Sequence, residues 1–478
     1  VTLGTQDKSL LDGVTLYPSR PGPSVEWLGS LPDHWGTPRL KTCASNMVET
    51  VSEREPGEMY LALEHVEGWT GRIRPASEET TFDSAVKRFR ANDVLFGKLR
   101  PYLAKVARAP RSGVCVGEFL VLRPRDGAVL PDFLAVLLRS KPVIDVINSS
   151  TFGAKMPRAE WQFIGDLRLP LPPLSEQAAI VRYLDHADRR IQRAIRAKKR
   201  LIALLNEQKA AIIHRAVTRG LDPSVPLKPS RVEWLGDVPA HWDVMPLKHV
   251  VPQVTVGIVI QPASLYVDSG VPCLRSLNVS GGTARSENLV YISPESNQLH
   301  RKSQIFDGDI VVVRTGRAGV AAIVPREYDG ANCIDLLIVR RSERILSEYL
   351  LTYLNSWAAR TDVQYRSVGA IQSHYNTETL ANLVTPLPSL AEQRRILDRL
   401  ALETRPVDQL LSATQSEIAL LQEFRTRLIS DVVTGKLDVR QAAANLPDIG
   451  DEEPAIEDDP AGEETAEESD DLAEELAG

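Results

Sequence analysis

The sequence is poor in the features that would give it chemistry of its own. It has no run of 18 apolar residues, so nothing in it reads as a membrane-spanning helix. Its four cysteines, Cys43, Cys115, Cys273 and Cys333, stand far apart with no C-x-x-C, and its eight histidines are scattered. That argues against a zinc site and a disulfide framework, and it suits a reducing cytosol. The first residues, VTLGTQDKSLLDG, lack the basic-then-apolar order of a secretory signal, so a cytoplasmic location is expected.

Catalytic signatures are missing as well. Gly97-Lys98 is followed by Leu99 and has Asn92 where a phosphate-binding loop needs its first glycine; Gly435-Lys436 also fails. There is no Asn/Asp-Pro-Pro-aromatic tetrapeptide of a nucleotide-methylating site. G-x-S-x-G, H-E-x-x-H and kinase signatures are absent too. The expectation is a chain with no catalytic residues, no metal site and no cofactor of its own.

Net positive charge is the last absence, and it is deceptive. Residues 448–478 hold fifteen Asp and Glu and no Lys or Arg; without them the formal charge moves from −7 to +8. The end reads as a disordered acidic tail. The body is basic, as a polyanion-binding protein should be.

What is present is repetition. PLP-x-L-x-EQ occurs at 170–177 and again at 386–393, an offset of 216. Each copy opens a long helical stretch. In the first, Pro170, Pro172 and Pro173 forbid an earlier helix, Ser175 is the expected N-cap, Glu176 suits the positive helix end, and Gly220 is the stop. Apolar or small residues recur at Ile180, Leu184, Ala187, Ile191, Ala194, Leu201, Leu205 and Ile212, broken by Lys198 and Gln208. In the second, Ser389 lies three residues before Glu392, a capping spacing. Its stripe runs Leu397, Leu400, Val407, Leu411, Ile418, Leu421, Leu428 and Val432. About 45 residues at 1.5 Å each make a helix of roughly 65 Å, which needs a partner along its stripe. The two helices are expected to pair with each other. Residues 182–219 carry eleven Lys or Arg against three acids, which fits either solvated charge or a face for phosphates or an acidic partner.

A second repeat precedes each helix's domain. VEWLGSLPDHW at 25–35 recurs as VEWLGDVPAHW at 232–242. No nucleophile or carboxylate constellation repeats with His34-Trp35 and His241-Trp242, so these segments are read as packing a loop onto a helix end. Between the markers lie two mixed strand-and-helix segments. Asp93 and Asp309 each open an apolar strand at the same 216 offset. GEFLVLRP at 117–124 parallels CIDLLIVRR at 333–341, and PDFLAVLLRS at 131–140 parallels SEYLLTYLNS at 347–356. YVDSGVPCLRSLNVSGG at 266–282 has no clear mate.

The expected organisation is therefore an N-terminal segment at 1–41, a globular domain at 42–168, a long helix at 169–222 and the repeated segment at 223–248. A second domain at 249–384, a second helix at 385–440 and the tail at 441–478 complete it. The fold class is mixed α/β, with two globular domains, two long antiparallel coiled-coil helices and an internal pseudo-twofold repeat.

Basic groups fall at loops and strand ends of both domains. The first offers Lys98, Arg100, Lys105, Lys155 and Arg158; the second Arg275, Arg314, Arg317, Arg366, Gln372 and His374. Arg reads guanine with two hydrogen bonds and Gln reads adenine. Glycine-flanked loops such as FGKLR and RTGRAG let the backbone approach a phosphate. These residues are the candidate DNA-binding set.

P-L-P-P-L-x-E-Q opening a long helix, W-L-G…P-x-H-W, and D-V-L-F-G-K-L-R-P-Y-L together resemble the specificity (S) subunit of type I restriction-modification systems, over about residues 24 to 440. The resemblance implies two target recognition domains, each reading half of a bipartite site in double-stranded DNA, spaced by the helices. It implies two methyltransferase (modification) subunits and restriction/translocase subunits as partners. S-adenosylmethionine, ATP and magnesium would belong to those partners. A methylation-only system fits the same residues, and a self-contained DNA-modifying enzyme or a coiled-coil scaffold are the competing readings. The acidic tail departs from the family pattern.

If the two segments are independent readers, exchanging 42–168 for the matching segment of a relative changes one half of the target. Sequencing of methylated sites checks this; a change in both halves, or in neither, breaks the domain division.

Overall fold

Short apolar runs become the buried strands at the centre of each domain, because a strand covered on both faces needs no alternation. The computed structural model describes residues 8–17, 22–74, 85–153, 156–260, 262–367 and 375–447. The chain divides into two compact units, 1–200 with 415–478, and 201–414.

In the first unit, strands β1 (Ala44–Met47), β2 (Val94–Gly97), β3 (Val106–Arg108) and β4 (Phe119–Pro124) form an antiparallel sheet in the order β1-β4-β2-β3. Every residue of β2 is buried. A second sheet joins Thr50–Val51, Val86–Phe89, Gly113–Cys115 and Met59–Leu61. Helices α1 (Pro131–Arg139), α2 (Lys141–Ser149) and α3 (Trp161–Asp166) follow. Pro131 and Pro142 sit in the first turns of α1 and α2, where a missing N–H costs nothing. Then comes α4 (Leu174–Arg219).

The second unit repeats the plan. Strands β5 (Val254–Val256), β6 (Ile310–Val313), β7 (Ala321–Ile323) and β8 (Leu336–Val339) pair in the order β5-β8-β6-β7. Helices α5 (Ser347–Leu354), α6 (Trp357–Ser367), α7 (Thr377–Ala381) and α8 (Leu390–Val433) each start 216 residues after α1, α2, α3 and α4. The stretch without a mate in sequence supplies strands Tyr266–Val267 and Val271–Leu274 of a second four-stranded sheet, as the first unit also has. What is extra is Val279–Ser280, which extends the main sheet beyond β7 through Gly282–Ala284.

Asp93 and Asp309 show why the strands begin where they do. Asp93 is 2% exposed and takes two bonds from Arg123, at 2.8 and 2.7 Å, and one from the Arg90 N–H. Asp309 takes the Arg340 guanidinium and the N–H groups of Phe306 and Arg341. A carboxylate that deep is tolerated only when paired and hydrogen-bonded.

Helix α4 starts one residue before the expected cap. Ser175 lies inside the first turn; the Pro173 carbonyl receives the N–H groups of Glu176 and Gln177 at 2.9 Å each. Proline's fixed φ already suits a helix entry, so no serine is needed there. At the matching place before α8, Ser389 does cap, its Oγ accepting the Glu392 N–H at 3.3 Å.

The helix stripes pack as expected in each unit, with one exception. In the first unit Ile180, Leu184, Ala187 and Ile191 are buried with Leu421, Leu428 and Val432, and Asp188 pairs with Arg425 while Lys198 pairs with Glu417. In the second, Ile212, Ala216 and Val217 pack with Ile396 and Leu400, and Lys209 holds Asp408 at 2.6 Å. Rising numbers on one helix meet falling numbers on the other, so the pair is antiparallel. Leu201 is the exception, 38% exposed. The burial steps by seven through Leu184, Ile191 and Leu205, with Ile195 and Ile202 on the neighbouring line. A 3.5-residue repeat leaves Leu201 just off that seam.

One amide anchors each helix start. Gln177, 1% exposed, accepts the Leu130 N–H at 2.8 Å and donates to the Pro172 carbonyl at 2.9 Å. Gln393 does the same with Leu346 and Pro388 at the same two distances. Replacing Gln177 or Gln393 by Ala strands two backbone groups, at about 1–3 kcal/mol each. Urea unfolding is expected to lose about 2–6 kcal/mol, against a few tenths for the exposed Gln208→Ala.

Candidate nucleic-acid interface

The two main sheets end in loops that share a backbone contact and differ in side chains. Lys98 follows β2; its N–H donates to the Glu118 carbonyl and its carbonyl receives the Ala159 N–H, both at 2.9 Å. Arg314 follows β6, and its carbonyl receives the Tyr375 N–H at 3.1 Å. Lys98 and Arg314, like Ala159 and Tyr375, are 216 residues apart.

In the first unit three of the candidate residues converge. Leu99 bridges Arg158, and the Arg100 N–H donates to the Pro157 carbonyl at 2.8 Å. Arg100 holds a left-handed backbone at φ +50, uncommon without glycine and frequent at functional turns. Arg158 donates Nε and Nη2 to the two oxygens of Glu118, each at 3.2 Å. Lys87 adds a cation, its Nζ bonded to the carbonyls of Gly117 and Phe119. Burial pushes its ammonium pKa down, and Lys98 pushes it further. Phe152 and Met156 lie exposed beside this cluster. Lys105 turns elsewhere, onto the Leu63 carbonyl at 2.9 Å. Lys155 lies outside the described residues.

In the second unit Arg314 donates Nη1 to Asp335 at 3.0 Å, and Thr315 donates its hydroxyl to the other oxygen at 3.1 Å. Arg317 is exposed, with Nη2 on the Val279 carbonyl at 3.2 Å. Arg275 starts the turn that leads to Val279 and donates Nη2 to the Asn288 carbonyl at 2.7 Å. Arg366 is on helix α6, its side chain outside the described residues, as are Gln372 and His374 entirely. Arg158, Arg275, Arg314 and Arg317 of the candidate set are thus held in place by their own domain. The carboxylates that hold Arg158 and Arg314, Glu118 and Asp335, were missed in the sequence. Their signal was available: each stands immediately before an apolar strand in the paired segments GEFLVLRP and CIDLLIVRR.

The repeated histidines serve the frame. Glu176, 4% exposed, receives the Tyr17 hydroxyl, His34 Nε2 at 2.7 Å and Trp35 Nε1 at 3.0 Å. Burial, then the neighbouring carboxylate, drives the Tyr17 phenol pKa up. Glu392 meets His241 Nε2 at 3.0 Å, beside the fully buried Trp242. Among the described residues no Ser, Cys or Lys nucleophile is bonded to either group. All four cysteines are buried, and burial pushes the Cys115 and Cys273 thiols up to about 12. Among the described residues no cluster of His, Cys, Asp and Glu fits a metal ion, and no helix is long and apolar enough to cross a membrane.

The chain and its fold have known relatives. The family model described as "Type I restriction modification DNA specificity domain" matches residues 77–200 and 242–418. The chain is similar to the type I restriction enzyme MjaVIII specificity subunit of Methanocaldococcus jannaschii, 24% identical over 302 residues, covering 62% of this chain and 68% of that one. It is similar to the EcoBI specificity subunit of Escherichia coli, 24% identical over 320 residues, covering 64% of this chain and 66% of that one. A solved chain from work on complex assembly and conformational transition of the type I R-M system covers 85% of this chain and 99% of its own length, at 21% identity and a TM-score of 0.63.

The loop after β6 generates a test. Arg317→Ala is expected to weaken DNA binding on all sequences and to lower the salt slope by about one if it meets a phosphate. Arg314→Ala is expected to cost about 1–3 kcal/mol and relax one base position if it meets a base. Titrations at several salt concentrations check both; unchanged affinity and specificity in the double variant takes this loop out of the interface.

Proposed function

The chain belongs to the type I restriction-modification DNA specificity family, and on that premise we propose that it is the DNA sequence-specificity subunit of such a complex. Each globular domain reads one half of a bipartite target in double-stranded DNA. The observation that carries this is the duplication itself: one backbone frame, built twice, with unlike side chains at the strand ends. Unlike surfaces on one frame suit an asymmetric, two-part site.

The chain is a recognition subunit without catalytic residues or a cofactor of its own. Its partners are two methyltransferase subunits, which bring S-adenosylmethionine, and restriction/translocase subunits, which bring ATP and magnesium. The repeated helix starts support two like docking sites for two like subunits. The site of action is the cytoplasm, where the DNA and the partners are. Mapping methylated adenines in cells with and without this chain tests the reading. A bipartite motif that disappears with the chain supports it; methylation by the purified chain and S-adenosylmethionine alone contradicts it.

The helices set the spacing of the two half-sites. Inserting four residues after Lys198 and four before Glu417 keeps each helix close to one whole turn longer. The pair then lengthens by about 6 Å, against about 3.4 Å per base pair of B-DNA. The preferred spacer is expected to grow by one or two base pairs with the half-site bases unchanged. A folded, active complex whose spacer ignores the insertion would assign the spacing to the modification subunits.

A further inference from the structure

Just before the strand that pairs with β2 or β6, each unit sets a carboxylate among cations. Glu118 stands before β4 and Asp335 before β8. Glu118 is 30% exposed and bonded to Arg158, with Lys98 close enough to act on neighbouring Lys87. Asp335 is 41% exposed, with one oxygen on Arg314 and the other on Thr315. Arg317 lies in the same loop.

A surface built only to attract phosphates gains nothing from an anion at its centre, which repels the phosphates that the cations draw in. These carboxylates are not deep charge neutralisers either, as Asp93 and Asp309 are at 2% and 3% exposure. They remain open to solvent while hydrogen bonds from their own domain fix them. A carboxylate has about four acceptor positions, and Glu118 and Asp335 each show two bonds to side chains. Both are set on strand ends: the Lys98 N–H holds the Glu118 carbonyl at 2.9 Å, and the Asp335 N–H holds the Ile258 carbonyl at 3.0 Å. Rigid backbone, partial exposure and spare acceptors suit a group that receives a hydrogen bond from outside.

We propose that Glu118 and Asp335 read bases, each accepting an amino hydrogen from cytosine N4 or adenine N6 in the major groove of its own half-site. Carboxylates make this contact with cytosine. Arg158 and the Arg314–Thr315 pair orient them, and the surrounding cations offset their repulsion of the backbone. The inference rests on the reading of both units as DNA-reading domains. It adds the chemical class of the contacted group, and a reason for the change from Glu to Asp on one frame: the shorter side chain sets its acceptor at a different reach.

The test maps methylated adenines in cells carrying the complete system with the natural chain, Glu118→Gln or Asp335→Asn. The natural chain is the control on the underlying reading: no chain-dependent bipartite motif means that reading has failed. Given a motif, Glu118→Gln is expected to cut discrimination about tenfold at one base pair in one half, and Asp335→Asn at one pair in the other half. The pair affected, C·G or A·T, tells which amine is read. An unchanged motif with either variant overturns the assignment of that residue. A variant that gives no methylation is purified with its partners and titrated against duplexes differing one pair at a time. Lost discrimination at a single pair supports the proposal; a uniform change across all duplexes overturns it, assigning the carboxylate to charge balance or arginine positioning.

Discussion

The Glu-Gln pair at the start of each long helix is the interaction on which the rest depends. In the first unit Glu176 gathers Tyr17, His34 and Trp35, while the next residue, Gln177, ties the proline turn to the N-terminus of α1. Two adjacent side chains on one helical turn thus join the leading segment, the domain and the helix. Buried polar groups of this kind are costly unless every partner is present, so the three parts are fixed together or not at all. Glu392 and Gln393 repeat the device with His241, Leu346 and Pro388.

That junction makes variation affordable elsewhere. With helix, leading segment and α1 or α5 held by the frame, the loops at the sheet ends are free to differ. Lys98 becomes Arg314 and Glu118 gives way to Asp335 on the matching strands, without a change in how β2 meets β4 or β6 meets β8. The second domain even accepts two extra strands, Gly282–Ala284 and Val279–Ser280, at the edge of its main sheet. The residues that hold the frame are not the ones that differ at the strand ends, as the proposed division between stability and reading requires.

The long helices divide their labour in a similar way. Apolar contacts serve each unit's own core, at Ile180 to Ile191 in one and Ile212 to Val217 in the other. Ion pairs at Asp188–Arg425, Lys198–Glu417 and Lys209–Asp408 mark the register of the antiparallel partners. The partly exposed pairs Lys198–Glu417 and Lys209–Asp408 add little stability, but opposite charges at fixed places disfavour a slipped alignment.

The sequence by itself determined the repeat, the two domains, the long paired helices and the family, because each is written in local periodicity or in identical residues 216 apart. It also marked the His-Trp segments as structural, since no reactive group repeats beside them. Only the tertiary structure decided where the helix cap falls, because Pro173 enters the helix without help from Ser175, and that Leu201 leaves the seam, because a seven-residue repeat drifts against a 3.6-residue helix. Only it showed that Arg158 and Arg314 are bound to Glu118 and Asp335. Composition reveals that a loop is basic; which carboxylate it meets depends on residues 40 and 21 positions away, brought together by strand pairing.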